Sequence, residues 1–239
     1  MAGGAALHFE PNSVRFSNDL DYFHDSIEDV AAAFGKDEEL LCKNKYKIQI
    51  EIKQPGYIRA KVANKEGASK VEWAHDTSWR FMPVVKKKDL GFVLHPIDLA
   101  VNKVLALAGR NEARDFLDVI DIHSKTLSLG ALCWAAAGKD PGFTPASLLE
   151  LLKRKGRFHA DDFKRLKLNQ EINLVTLKQI WLDALEEASQ FIQSRPADEI
   201  GCLYYSTTKK KFFSPEKNMP QKEFVLHFGR PGGILPKVS

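Results

Sequence analysis

Two aspartates separated by one residue, Asp19 and Asp21, are the side chains of this sequence best spaced to do chemistry together. They belong to the segment DLDYF, whose polar and apolar residues alternate as in a β-strand. Because alternate side chains of a strand share a face, both carboxylates are expected to point the same way. Neighbouring carboxylates repel each other, and a hard divalent cation such as Mg²⁺ relieves that repulsion. The pair predicts a magnesium site, although the same spacing also occurs by chance on exposed strands.

A glycine pair, Gly3 and Gly4, lies about fifteen residues before the aspartates. Glycine lets a phosphate approach the backbone closely, and a helix beginning near Ala5 would point its N-terminus at that anion. The competing interpretation of the two glycines is an ordinary turn.

A third carboxylate is offered by Glu72 in the segment SKVEWAHDTSWRFMPV, which begins with strand-like alternation. A strand here, beside the strand of Asp19 and Asp21, would complete a three-carboxylate site. Asp76 competes for this role, but its neighbours His75 and Thr77 are more typical of a strand end. The alternative for Glu72 is an outward-facing strand residue.

The segment HPIDLAVNKVLALAGR predicts the clearest helix, with Pro96 at its first position and Gly109 at its end. Lys103 lies in the middle of it among apolar residues. A lysine in that position is usually exposed or extends its ammonium group to solvent.

A second helix is predicted from NEARDFLDVIDIH, and it carries Asp115 and Asp118 near its start. Aspartates there compensate the positive end of the helix. They can also pair with Arg110 or Arg114.

The remaining pattern predicts the α+β class. A helix follows Ser26, which has a capping-box partner in Asp29, and a hairpin turns at residues 54–56. From Leu127 onward the pattern is mainly helical, and the tail is strand-like. The predicted organisation is a catalytic core in residues 1–95, a helical lobe in 96–200 and a strand-rich extension packed on that lobe in 201–239.

Composition is that of a soluble globular protein, with 44% hydrophobic and 28% charged residues in 239. No apolar run is long enough to cross a membrane, and the N-terminus does not resemble a signal peptide. Cys42, Cys133 and Cys202 are odd in number and lack metal-site spacing, which predicts reduced thiols and a cytoplasmic location.

Charge is unevenly distributed along the chain. Residues 1–44 carry three Lys or Arg against nine Asp or Glu, whereas residues 151–239 carry 16 against ten. The basic part fits a surface for a nucleic-acid backbone or, equally, a solvated face. Its basic residues around the predicted helices include Arg154, Lys155, Arg157, Lys164, Arg165 and Lys167.

Four segments in a fixed order, GGAAL, RFSNDLDYF, HPIDLAVNKVLALAGR and RDFLDVIDI, resemble the nucleotidyltransferase-like toxins of the AbiEii/AbiGii group. That group belongs to the DNA polymerase beta type nucleotidyltransferase superfamily. The resemblance extends from Gly3 to about Ile122. Members usually carry an apolar strand before the glycines, whereas only Met1 and Ala2 precede Gly3 here, which leaves a truncated start or a sheet without that strand as alternatives.

The resemblance implies a minimal nucleotidyltransferase mixed sheet with flanking helices, followed by a mainly helical C-terminal lobe. It implies a Mg²⁺-dependent enzyme that moves a nucleoside monophosphate from a nucleoside triphosphate to RNA, such as a transfer RNA 3′ end. It also implies a toxin with a cognate antitoxin, or half of a phage-defence pair. The implied catalytic residues are Asp19, Asp21, Glu72 and Lys103, the first three as metal ligands. The implied nucleotide-binding residues are Gly3, Gly4, Arg15, Ser17, Lys103, Asp115 and Asp118.

Two alternatives remain at the level of the sequence. One is a nucleotide- or RNA-binding protein that keeps this fold without catalysis. The other is a nucleotidyltransferase that modifies a hydroxyl of a protein or of a small molecule such as an antibiotic.

Overall fold

The computed structural model describes residues 1–9, 13–17, 19–169, 171–217 and 219–237. Within these ranges a mixed sheet comes first and a mainly helical region follows it. The predicted α+β class is confirmed.

The first sheet has four strands in the order β1-β4-β3-β2. These are β1 (Asp19–His24), β2 (Lys47–Gln54), β3 (Tyr57–Ala63) and β4 (Ala68–His75). Helix α1 (Gly3–Leu7) precedes β1, and helix α2 (Ile27–Lys43) lies between β1 and β2 in the chain. β1 and β4 are parallel, while β3 runs antiparallel to both of its neighbours. The register of the parallel pair sets Asp19 opposite Lys70 and Asp21 opposite Glu72.

Helix α2 covers one face of this sheet. It begins where the Ser26 side chain accepts a hydrogen bond from the Asp29 backbone N–H, as the capping pattern predicts. Its buried Val30 and Phe34 pack on the sheet, and the Phe34 ring meets Trp73 edge-on at 5.1 Å. Burying a large apolar side chain contributes about 1.5–3 kcal/mol, so this packing fixes which face is apolar. Every second side chain must then face the other way, toward the polar side.

A hydrophobic core formed by several helices occupies the middle of the chain. Its helices are α3 (Pro96–Gly109), α4 (Ala113–Lys125), α5 (Leu129–Lys139), α6 (Pro145–Lys153), α7 (Ala160–Lys164) and α8 (Leu174–Ser194). Helix α3 starts as predicted, with Pro96 in its first turn and the His95 side chain accepting the N–H of Ile97. α3 is buried along most of its length, including Val104 and Leu107, which holds its position relative to the sheet.

The last part of the chain adds a second sheet of three strands in the order β10-β8-β9. The tail contributes the strands β8 (Cys202–Ser206), β9 (Lys211–Phe213), β10 (Phe224–Phe228) and β11 (Arg230–Pro231). It also contains 3₁₀ turns at Ala197–Glu199 and Gln221–Glu223. Earlier in the chain, before α3, lie three short strands, β5 (Trp79–Arg80), β6 (Val85–Lys87) and β7 (Gly91–Val93). Strand β8 packs against α5, where Trp134 and Tyr204 share a cluster.

Residues 78–82, which we call the clasped segment, are held from two sides. The Asp98 carboxylate of α3 accepts the N–H groups of Phe81 at 2.7 Å and Met82 at 3.0 Å. From the tail, Gly232 N–H donates to Ser78 and Ile234 N–H donates to Phe81, at 2.8 and 3.1 Å. The clasped segment therefore joins sheet, helices and tail.

No helix in the described ranges is long and apolar enough to cross a membrane. The three cysteines are free thiols, with Cys42 exposed and Cys133 and Cys202 buried. Burial raises the pKa of each buried thiol to about 12.

Candidate active site

A polar cleft of about 250 Å³ lies between the open face of the first sheet and helices α1, α3 and α4. It is lined by Gly3, Gly4, Arg15, Ser17, Asp19, Asp21, Phe23, Arg59, Lys70, Glu72, Leu99, Asn102, Lys103, Ala106, Arg110 and Arg114. Eight residues predicted from the sequence are thus brought together, from Gly3 to Lys103. Asp115 and Asp118 do not line the cleft. The competitor of Glu72, Asp76, pairs with Lys139 at 3.0 Å.

Asp19 and Glu72 face the cleft as ion-paired carboxylates. Asp19 Oδ2 lies 2.9 Å from the Lys70 ammonium and 3.2 Å from Arg114. Glu72 Oε1 lies 3.0 Å from Arg59 Nε and 3.3 Å from the same Lys70 ammonium. Lys70 therefore bridges the two carboxylates.

Asp21 differs from both of them. Within the described part of the chain its carboxylate makes no ion pair. Burial, followed by the nearby negative charge of Glu72, raises the pKa of Asp21 above its ordinary value. A positively charged partner would therefore stabilise the ionised carboxylate of Asp21.

Gly3 lies directly against Asp21. The helix α1 begins at Gly3 rather than near Ala5, so both glycines form its first turn. The Gly3 backbone has a φ of +63°, and a β-carbon there would lie 1.7 Å from Asp21 Oδ2. The Ala2 backbone N–H also donates to the Asp21 carbonyl at 2.7 Å. Glycine is required here by both backbone conformation and space.

Gly3→Ala is expected to displace the Asp21 side chain and to lower the free energy of unfolding by about 1–3 kcal/mol. Urea denaturation measures this change, and binding of a magnesium–nucleotide complex is expected to weaken in parallel. Gly35→Ala, in α2 with no atom within 4 Å of the added carbon, is the control. It is expected to raise stability by about 0.5–1 kcal/mol. Equal stability of Gly3→Ala and wild type would contradict the close fit.

Lys103 is fixed in the floor of the cleft by two buried carboxylates. Its ammonium lies 3.0 Å from Asp115 Oδ1 and 2.8 Å from Asp118 Oδ2, and its side chain is 8% exposed. Arg110 also pairs with Asp115, at 2.6 Å. The predicted ion pair between Asp115 and Arg110 is present. The Lys103 side chain, expected to reach solvent, is instead buried.

Asp118 is the centre of a larger buried cluster. Arg15 donates from Nε and Nη2 to its two carboxylate oxygens at 2.8 and 2.7 Å, and His8 Nε2 lies 2.7 Å from Oδ1. Burial opposes ionisation of Asp118, but the hydrogen bond with His8 and the charges of Lys103 and Arg15 outweigh it and hold its pKa far below the ordinary value.

The two helix-α4 aspartates thus lie beneath the cleft rather than in it. Their side chains are fully enclosed, and their oxygens are taken by Lys103, Arg15, Arg110 and His8. Their ion pairs hold these cations in place.

No protein-family model matches the chain, and no curated protein matches its sequence. Among solved structures, MenT4, a nucleotidyltransferase toxin from Mycobacterium tuberculosis H37Rv, is similar with a TM-score of 0.54. The similarity covers 82% of this chain and 76% of MenT4, at 18% sequence identity. This chain has a nucleotidyltransferase fold. At that identity the likeness concerns the fold and does not assign roles to side chains.

Within this nucleotidyltransferase fold, several cleft residues were missed by the sequence analysis. Arg59 and Lys70 are cations that contact the carboxylates. Arg114, predicted only as a partner of the helix-α4 aspartates, contacts Asp19 instead. Lys70 could have been predicted from the sequence, because it lies two residues before Glu72 on one strand and both side chains therefore share a face. Asn102, beside Lys103, has a buried side-chain oxygen that finds no hydrogen-bond partner among the residues that the structure describes. An unpaired buried acceptor is costly, so this atom is available to a ligand.

Among the described residues, no three His, Cys, Asp or Glu side chains are arranged to hold a metal ion. Two of the three carboxylates that line the cleft, Asp19 and Glu72, instead contact the Lys70 ammonium.

Proposed function

We propose that this protein is a metal-dependent nucleotidyltransferase that transfers a nucleoside monophosphate from a nucleoside triphosphate to an acceptor hydroxyl. The observation that carries the proposal is the convergence of Asp19, Asp21 and Glu72 on the cleft, opposite Lys103 and the backbone of Gly3. The nucleotidyltransferase fold supports it.

The donor groups fit a hard divalent cation. Carboxylate oxygens are the ligands that Mg²⁺ prefers, and Asp21 is the ligand whose charge is not already compensated by an ion pair. We assign Asp19, Asp21 and Glu72 as the residues that would hold the ion. When bound, Mg²⁺ supplies positive charge to the phosphate oxygens and lowers the pKa of the acceptor hydroxyl.

The chain's own residues have separate tasks. The Gly3 and Gly4 backbone offers close approach to a phosphate, and Lys103 offers a fixed positive charge to it. Arg15 and Ser17 line the same end of the cleft. Asp115 and Asp118, proposed from the sequence as nucleotide-binding residues, act through Lys103 and Arg15 instead of by contact.

The reaction follows from these positions. The acceptor oxygen attacks the α-phosphorus in line, the bond between that phosphorus and the oxygen bridging to the β-phosphate breaks, and pyrophosphate leaves. Glu72 is placed to accept the acceptor proton. Lys103 stabilises the negative charge that collects on the leaving phosphates.

We propose RNA, such as a transfer RNA 3′ end, as the acceptor. A basic surface borders the cleft, because Lys155 Nζ donates to the backbone carbonyl of Arg110 at 3.3 Å. A cavity of about 490 Å³ on that surface is lined in part by Lys153, Arg157 and Lys178. Such a row of cations suits a phosphate backbone.

The toxin role and the AbiEii/AbiGii relationship belong to the same proposal. Motif order in the sequence resembles that group, and MenT4 is a toxin by name. A cognate antitoxin is the implied partner.

The proposal is tested by incubating the protein with each α-labelled nucleoside triphosphate, Mg²⁺ and total RNA, and measuring label in RNA and in protein. We expect label in a small RNA, and none when Mg²⁺ is chelated. Label on protein would keep the enzyme and overturn the RNA acceptor. Triphosphate binding without label in any fraction would favour a catalytically silent binding protein, a candidate supported by the ion pairs that already compensate Asp19 and Glu72.

A further inference from the structure

Two lysines face the carboxylates around this cleft, and they are held very differently. Lys103 is 8% exposed and contacts two carboxylates that are themselves fully buried. Lys70 is 32% exposed, and its partners Asp19 and Glu72 are 25% and 17% exposed. Lys103 is fixed, whereas Lys70 has room to move.

Lys70 can also move away without leaving either of its carboxylate partners unpaired. The Asp19 oxygen that it contacts is shared with Arg114, and the Glu72 oxygen is shared with Arg59. A carboxylate that loses its only buried partner is strongly destabilised, but neither Asp19 nor Glu72 would be in that position.

The same two carboxylates are those proposed to hold the divalent cation. An ammonium and a divalent cation bound to the same oxygens lie within a few ångströms of each other, where their repulsion is large even in a partly solvated site. A metal ion on Asp19 and Glu72 therefore weakens the hold of these carboxylates on Lys70. A displaced ammonium in a cleft needs another anion, and a bound triphosphate provides one.

We propose that Lys70 is an internal counter-cation, which holds Asp19 and Glu72 in the metal-free protein and moves to the triphosphate when metal and nucleotide enter. The inference rests on the proposed function and adds to it a role for a residue outside its predicted site. Metal alone then binds weakly, because it must displace Lys70 without offering it a new partner. Nucleotide and metal favour each other's binding, and this coupling is reciprocal.

The test is titration of Mn²⁺, followed by electron paramagnetic resonance, with and without a non-hydrolysable nucleoside triphosphate analogue. Wild type is expected to bind Mn²⁺ about tenfold more tightly in the presence of the analogue, within the ordinary range of such coupling. Lys70→Met keeps most of the length of the unbranched side chain and removes its charge. It is expected to bind Mn²⁺ about tenfold more tightly than wild type without nucleotide, and to show weaker coupling than wild type, since the direct contact between metal and phosphates remains.

Lys61→Met is the matched control, because Lys61 on β3 pairs in register with Lys70 but is exposed and does not line the cleft. It removes one positive charge from the same sheet and is expected to behave as wild type. Lys70→Gln serves as a second variant, and the melting temperature of each protein with and without Mn²⁺ gives a readout independent of the resonance signal. Metal should stabilise both Lys70 variants more than it stabilises wild type.

The results distinguish failure of the counter-cation role of Lys70 from failure of the proposed metal site. If Lys70→Met and Lys70→Gln fold and bind Mn²⁺ no more tightly than wild type, the counter-cation role is overturned while the metal site stands. If no protein binds Mn²⁺ with or without the analogue, the proposed metal site itself is overturned.

Discussion

Asp21→Asn is expected to reduce nucleotidyl transfer on the order of 1,000-fold while leaving the protein folded and at least as stable as wild type. The loss follows because Asp21 is the proposed metal ligand whose charge no ion pair compensates. The stability follows from the direction of its pKa, which burial and Glu72 raise. A carboxyl with a raised pKa opposes folding when it is ionised, so neutralising it at pH 7 removes an unfavourable charge.

Transfer of α-label and the midpoint of urea unfolding measure the two effects on the same protein. Glu51→Gln on β2 is the control, since Glu51 is exposed on the same sheet and does not line the cleft. It should keep both wild-type values. Wild-type transfer by Asp21→Asn would refute the assignment of this metal ligand, and a large loss of stability would show that Asp21 has a structural partner.

Asp118→Asn is expected to lower the free energy of unfolding by about 3–5 kcal/mol. The change removes the carboxylate that pairs with Arg15, and leaves Lys103 with Asp115 alone, in a site where Asp118 is 1% exposed. The pKa of Asp118 lies far below its ordinary value, so its contribution to stability is present at pH values above the ordinary carboxyl pKa of about 3.9 and is lost as the pH falls below it. The variant should therefore differ most from wild type near neutral pH.

Asp121→Asn is the matched control for this second change. Asp121 lies on the same helix and pairs with Lys125, whose side chain is 58% exposed. Loss of that exposed pair is expected to cost about 0–1 kcal/mol. Urea denaturation at pH 7 and at a pH well below about 3.9 compares the three proteins. A cost for Asp118→Asn no larger than that for Asp121→Asn would contradict the central role of the buried cluster.

The strand face on which each of the three cleft carboxylates lies could be predicted because it depends on local pattern. Alternation fixes the shared face of Asp19 and Asp21, and the same rule places Glu72 on one face of its strand. The start of helix α3 could also be predicted from local sequence, because Pro96 lies in the first turn, where proline is favoured.

The setting of Lys103 could not be predicted in this way. A lysine among apolar residues has the same local pattern whether its ammonium reaches solvent or a buried carboxylate. The decision depends on Asp118, which also recruits Arg15 and His8 from more than 100 positions earlier in the chain. Sequence spacing carries no information about such long-range convergence.

The clasped segment, residues 78–82, has a consequence for the order in which the molecule assembles. Its backbone is tied to α3 close by in sequence and to residues 232–234 far away. The second tie closes a loop of about 150 residues, and contacts of such separation form slowly because chain entropy must be lost first. During synthesis the sheet and α3 can meet early, but the segment between them stays open on one side until the tail emerges. The clasped segment thus gains its second set of backbone hydrogen bonds only after residues 232–234 have been added.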